Sequence, residues 1–306
     1  MKYIITEEQC KLLTENEDKK ILELPGLEVF GSWESLQLFL KNRNYPLYSI
    51  EGDLDIKNDD LTSLGNLTSV GGDSILDCLK IESLGKLESV GKGLFLDCPK
   101  IQSLGNLEYV GGGLYLRDTK NLQSLGKLKF VGGYLDLSYA KNLQSLDNLE
   151  SVGGGLDLNY TKNLQSLGKL KSVGGDLNLK HTKINSLDNL ESVGEDLDLY
   201  YSKIQSLGNL TSVGGFLNLS DSEIKTLGNL KSVDKDLKLS NSHNFQSLGN
   251  LEYVGRDLDL KHTNIQSLGN LTSVGGDLNL IGTPLLRMYS RKEIRDMVRI
   301  NGNLFL

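Results

Sequence analysis

A unit of about twenty residues recurs roughly a dozen times along this chain, and it constrains the fold more than any other feature. One copy carries Leu177, Leu179, Ile184, Leu187, Leu190 and Val193 before Leu197 opens the next. Counted from Leu177, apolar residues stand at offsets 0, 2, 7, 10, 13 and 16. A unit of that size cannot bury such a face alone, so the units must stack into a solenoid. The pair at offsets 0 and 2 has the period of a short strand with both leucines inward. The later apolar residues fall three apart, which predicts tight turns or 3₁₀-like pieces.

The array starts near Leu47, with Leu54/Ile56 as the first strand pair and Leu278/Leu280 as the last regular one. Spacings are 20 or 21, and the extra residue (Asn121, Asn142, Asn163 or Asn244) always enters at one place, where a turn absorbs it. A slip within a strand would instead turn its apolar face outward. The Gly-Gly before most strands, as in Gly174-Gly175, predicts a turn with positive φ. Offset 11 is glycine except at Asp147 and Asp188, which predicts left-handed backbone there too. Asn189 and its equivalents at offset 12 are expected to bond backbone groups as a ladder.

Residues 1–46 do not repeat and read as a helical N-terminal cap. Thr6 with Gln9 forms a capping box for a helix through Leu12 and Leu13. Ser32 caps a second helix carrying Trp33, Leu36, Phe39 and Leu40 on one face, and Pro46 ends the segment. Residues 47–282 form the solenoid. Residues 283–306 form a C-terminal cap, in which Ser290 and Glu293 start a helix with Ile294, Met297 and Val298 as its apolar face. Ile300, Leu304 and Leu306 then replay part of a unit as a thirteenth strand. The expected fold is mainly β: a solenoid of 12–13 coils of 20–21 residues with short helical caps. Twelve steps of about 4.8 Å give a stack roughly 58 Å long.

The chain has 306 residues and a formal charge of −7. That balance argues against general nucleic-acid binding. No run approaches the length of a membrane span, and the opening residues lack an apolar signal core, so a cytoplasmic protein is expected. The three cysteines do not suggest an extracellular disulfide framework.

The phrase Leu190-x-x-Val193-x-x-x-Leu197-x-Leu199 resembles a leucine-rich repeat with one extra residue before the strand. Ser-Val-Gly-Gly-x-Leu-x-Leu, from Ser172 to Leu179, is closer to the receptor L-domain type of β-helix. The resemblance covers residues 47–282 and implies an interaction scaffold whose partners sit on the strand-lined face. The cysteine pattern and signal peptide of receptor L domains are absent, so receptor function does not carry over. The opening Tyr3 to Gln9 and closing Gly282-Thr283-Pro284 are also similar to uncharacterised repeat proteins of tailed bacteriophages.

Function should lie where units depart from their consensus. Tyr115, Tyr134, Tyr139, Tyr160, His181, Tyr200, Tyr201 and Phe216 crowd the middle units and are the expected partner-binding residues. The competing reading is aromatic stacking that stabilises the ladder. Lys80, Lys100, Lys120, Lys141, Lys162, Lys183 and Lys203 fill offset 6 in seven consecutive units, and Glu223 ends the run. They suit a polyanion or an acidic protein edge, or else reflect repeat duplication and edge protection. Aspartates at offsets −1 and 1, including Asp136, Asp157, Asp176 and Asp196, offer either a face for a basic partner or a solvated strand face.

Cys78 and Cys98 share offset 4 on adjacent units, within reach of a disulfide or free in a reducing compartment. His181, His243 and His262 show no nucleophile–base or zinc spacing, so no catalytic residue, metal or cofactor is expected. The expected function is a non-enzymatic scaffold for a protein partner whose identity is left open, as is the oligomeric state. The alternatives are a structural or assembly protein, such as a viral accessory component, or a polyanion- or carbohydrate-binding module on the lysine column.

Overall fold

The computed structural model of the protein describes residues 21–116 and 119–306. The chain winds into a parallel β-solenoid with two long ladders. The leucine sheet has 13 strands, running from Leu54–Lys57 through Leu278–Asn279 to Leu304–Phe305. The valine sheet has 14, running from Ile21–Leu24 through Leu47–Ile50 and the Ser-Val pairs to Arg299–Ile300. Register steps place like on like, as in Leu177 against Leu197 and Ser172 against Ser192. Isolated parallel bridges between serines, such as Ser186 and Ser206, mark a third side.

The sequence reading missed the valine sheet. Offsets 15 and 16 form a strand of only two residues in most coils, too short to show a period of two. Pairing runs between coils rather than along the chain, so two residues per coil suffice once many coils stack. Leu177, Leu179, Ile184, Leu187, Leu190 and Val193 are all buried, and their equivalents line one continuous core.

The inserted residues leave the strands in register: Leu135 still pairs with Leu114 below and Leu156 above. The turn takes up the extra residue, and its side chain ties down the coil beneath. Asn121 Nδ2 donates to the Pro99 carbonyl at 2.8 Å, and Asn163 Nδ2 to that of Lys141 at 2.8 Å. The asparagines at offset 12 act likewise, with Asn189 Nδ2 3.0 Å from the Gly168 carbonyl oxygen.

The two glycine positions work differently. Offset 11 is left-handed as expected, with φ of 62° at Gly168, 51° at Asp147 and 50° at Asp188. The Gly-Gly before most strands does not have positive φ, which corrects the expectation for Gly174-Gly175. What it needs is room, because a Cβ on Gly174 would stand closer than 3 Å to the Gly153 carbonyl oxygen one coil below. Backbone therefore stacks on backbone at this corner.

Both ends are covered. Helix α1 (Trp33–Lys41) starts at Ser32, whose Oγ accepts from the Ser35 amide at 3.1 Å, and it buries Trp33, Leu36 and Leu40. The N-terminal segment is not purely helical, since its strand Ile21–Leu24 pairs with Leu47–Ile50 and extends the valine sheet. The Thr6–Gln9 capping box and the helix expected at Leu12 and Leu13 lie outside the described residues. Helix α2 (Arg291–Met297) carries the expected capping box and buries Ile294. Met297, expected on its apolar face, is exposed instead. Arg295 reaches past the helix to the carbonyls of Ile300 and Gly302, occupying acceptors at the last coil.

Candidate interaction surfaces

The corner after the leucine sheet changes shape along the stack. In the early coils offset 4 points inward, and Cys78 and Cys98 are buried there while Leu79 at offset 5 is 51% exposed. From Thr119 onward offset 5 is buried instead, as at Ala140, Thr161 and Thr182. Offset 4 then turns outward on left-handed backbone, with φ of 62° at Tyr139, 57° at Tyr160, 56° at His181 and 54° at Tyr201. Offset 4 is therefore not one surface column: the cysteines and the tyrosines face opposite ways. The signal in the sequence is the small residue at offset 5, whose hydroxyl bonds back into the turn at Thr119, Thr182, Ser222, Thr263 and Thr283, with Thr182 Oγ1 2.7 Å from the Leu179 carbonyl oxygen.

Asp221, Asn241, His262 and Gly282 continue the outward column. These are the residue types that tolerate left-handed backbone. Three tyrosines depart from that preference, and they occur together. Tyr139 stacks on Tyr160 at 5.3 Å and 16°, and Tyr160 on His181 at 4.5 Å and 10°. Tyr201 tilts 52° from His181, and Tyr200 meets it edge-on at 87°. The lower rings thus spend their faces on each other, while Tyr201 at the top of the stack is 63% exposed.

A second aromatic cluster lies on the leucine sheet itself. Phe95 and Tyr115 stack at 4.6 Å and 5°, and Tyr134 follows at 6.3 Å. Ile75 pairs in register with Phe95 and extends the column downward. Ile75, Phe95, Tyr115 and Tyr134 are all about two-fifths exposed. Sequence reasoning passed over Ile75 and Phe95. Their signal was an apolar residue at offset 1, where the units usually place Asp or Asn. The groove beside them also includes Lys57, Asp77 and Asp97. Neither Asp77 nor Asp97 has a side-chain hydrogen bond or ion pair among the described residues.

Tyr134 lies near Asp157, whose carboxylate accepts the Asn159 N–H at 2.8 Å. Burial, then the charges of Asp157 and Asp136, push the Tyr134 hydroxyl up to about 12. Burial likewise raises the Asp157 carboxyl. Phe216, expected with the other aromatics, is half-buried and joins neither cluster.

Most of the strand-face acids are already engaged. At offset −1 a carboxylate accepts the backbone N–H of the equivalent residue in the next coil, as Asp196 does from Phe216 at 2.9 Å and Asp257 from Asp277 at 2.8 Å. At offset 1 it accepts the N–H two residues on, as Asp157 does from Asn159 at 2.8 Å. These bonds account for the aspartate pattern within the chain.

The seven lysines are exposed at the turn, and Lys141, Lys162, Lys183 and Lys203 lie beside the outward aromatic column. Lys80 pairs with Asp60 in the coil below, and Lys203 with Glu223 in the coil above. Each pair holds its lysine above the ordinary range. Lys100, Lys120, Lys141, Lys162 and Lys183 have no ion pair among the described residues. A trough next to them on the third side is lined by Gln123, Gln144, Asn142, Asn163 and Asp147.

Cys78 and Cys98 are both free. Burial pushes the Cys98 thiol up to about 12 and raises that of Cys78. Among the described residues no His, Cys, Asp and Glu cluster is placed to hold a metal, and no helix is long and apolar enough to cross a membrane.

No family model, curated protein or solved structure matches the chain. The resemblance to leucine-rich repeats therefore rests on the repeat phrases alone.

Proposed function

We propose that the protein is a non-enzymatic scaffold that holds a protein partner on the outer face of its leucine sheet. The observation that carries this reading is the exposed column Ile75, Phe95, Tyr115 and Tyr134 on a face otherwise dominated by Asp, Asn, Lys and Ser. Its rings are held in place by stacking, so little side-chain freedom is lost on contact. The unpaired carboxylates of Asp77 and Asp97 border the column, which favours a partner segment with apolar side chains flanked by Lys or Arg. The Tyr200–Tyr201 cluster lies several coils further along and gives such a segment a second anchor.

A panel of fluorescent peptides tests this reading. Peptides pairing large apolar residues with flanking Lys or Arg should bind the wild type and lose most of their affinity for a Phe95→Ser/Tyr115→Ser variant. Equal binding of acidic and scrambled peptides, or undiminished binding to the folded variant, would refute it.

A further inference from the structure

We infer that the lysine corner is a separate binding site for an extended acidic polysaccharide laid along the solenoid axis. Lys100, Lys120, Lys141, Lys162 and Lys183 stand one per coil, and the strands of these five coils pair in register at steps of about 4.8 Å, so the coils that carry the run span about 19 Å. Acids close the row at both ends, Asp60 on Lys80 and Glu223 on Lys203. The five ammonium groups between them are the uncompensated ones, and they define a site of finite length.

The chemistry beside the row suits sugar hydroxyls. The side-chain amides of Gln123 and Gln144 in the trough make no hydrogen bond among the described residues. Asn142 and Asn163 also line the trough; their amide N–H groups bond the coil beneath, and their side-chain carbonyls accept no hydrogen bond among the described residues. Asp147 is the one carboxylate lining it among the described residues, and its Oδ2 already accepts from Ser124 Oγ at 2.6 Å and Leu125 N at 2.8 Å. Rows of donors and acceptors next to a row of cations match a chain that carries hydroxyls and an acid group along its length.

Other polyanions fit less well. Single-stranded nucleic acid binds through base stacking on open ring faces. Here the rings beside the lysines stack on one another, Tyr139 on Tyr160 and Tyr160 on His181. An extended acidic peptide presents like side chains every second residue, about 6.6 Å apart, out of step with the coils.

The test titrates the full chain with oligogalacturonates and with heparin fragments, which separate carboxylate from sulfate recognition. Methyl-esterified oligogalacturonate, oligo-dT and polyglutamate serve as comparators. At least one acidic oligosaccharide should bind best, with affinity falling as salt rises at a log–log slope of roughly 3.5 to 4.5 for five neutralised charges. A Lys120→Gln/Lys141→Gln/Lys162→Gln variant should lose about tenfold or more, since each lost contact removes a released counterion. Gln123→Ala/Gln144→Ala should weaken the oligosaccharide while leaving polyglutamate retention unchanged. Phe95→Ser/Tyr115→Ser should leave all of this intact, which separates this site from the protein-binding face. The inference is overturned if no acidic oligosaccharide binds, if oligo-dT or polyglutamate binds as tightly, or if both corner variants, folded by circular dichroism, keep wild-type affinity.

Discussion

Tyr160 lies over His181 with ring centroids 4.5 Å apart, and both residues hold left-handed backbone at φ of 57° and 56°. The stack and the strain occupy the same column. A left-handed residue with a bulky side chain costs on the order of 1 kcal/mol, and a stacked aromatic pair returns a similar amount. Tyr160→Asn loses two stacked pairs, with Tyr139 and with His181, and relief of the backbone offsets only part of that, so it should cost about 1 kcal/mol. Tyr160→Val should cost about 2 kcal/mol or more, since a β-branched residue fits the left-handed region poorly and restores no stack. Thermal melts of the two variants decide this, and a Val variant as stable as the Asn variant would remove strain from the account.

Crowding and conformation can be separated at two glycines. A Cβ on Gly105 meets nothing within 4 Å, but its φ is 60°. Gly105→Ala should cost about 1 kcal/mol and Gly105→Asn less. Gly174→Ala forces a methyl group against the Gly153 carbonyl and should cost more, about 2–3 kcal/mol. Urea unfolding of the three variants gives the order directly, and a reversed order would contradict the close stacking of backbone at Gly174.

The acid row on the leucine sheet should behave as backbone support. Asp196 accepts the Phe216 N–H at 2.9 Å. Asp196→Asn keeps an acceptor and should be nearly neutral, whereas Asp196→Ala leaves that N–H without its partner and should cost about 1 kcal/mol. Equal melting temperatures for the two variants would show that the carboxylate does not support the ladder.

The buried thiols should resist alkylation in the native state. The Cys98 thiol is pushed from 9.0 to about 12, so the folded protein holds its proton where the unfolded chain releases it. Its contribution to stability is fully present below pH 9 and is lost as pH rises from about 9 to 12. Iodoacetamide at pH 8.5 should label Cys98 only after denaturant is added. Cys98→Ala should lose less stability than the wild type between pH 9 and 11. Rapid native labelling, or parallel pH curves for the two proteins, would contradict the buried environment.

Much of the fold was legible in the amino-acid order. Six apolar offsets named the core, Gly168 and Asp188 marked a left-handed turn, and Ser290 with Glu293 located the terminal helix. The candidate sites were less legible. Tyr139 to Tyr201 stood out because they break the repeat, whereas Ile75 and Phe95 passed as ordinary strand residues. Residues twenty positions apart become neighbours only after stacking, so no local window shows that Phe95 lies on Tyr115.

A period of twenty residues with a constant apolar pattern is enough to dictate a stacked coil, since burial demands it whatever the details of the turns. The side to which a given offset points is another matter. One left-handed residue reverses the corner between Cys98 and Tyr139, sending a buried thiol and an exposed ring from the same repeat position. The second sheet, the Asp196 carboxylate turned onto the Phe216 amide, and the acids closing both ends of the lysine row likewise depend on contacts between coils. Such contacts are set by backbone geometry and register, which a linear pattern of residue types does not contain.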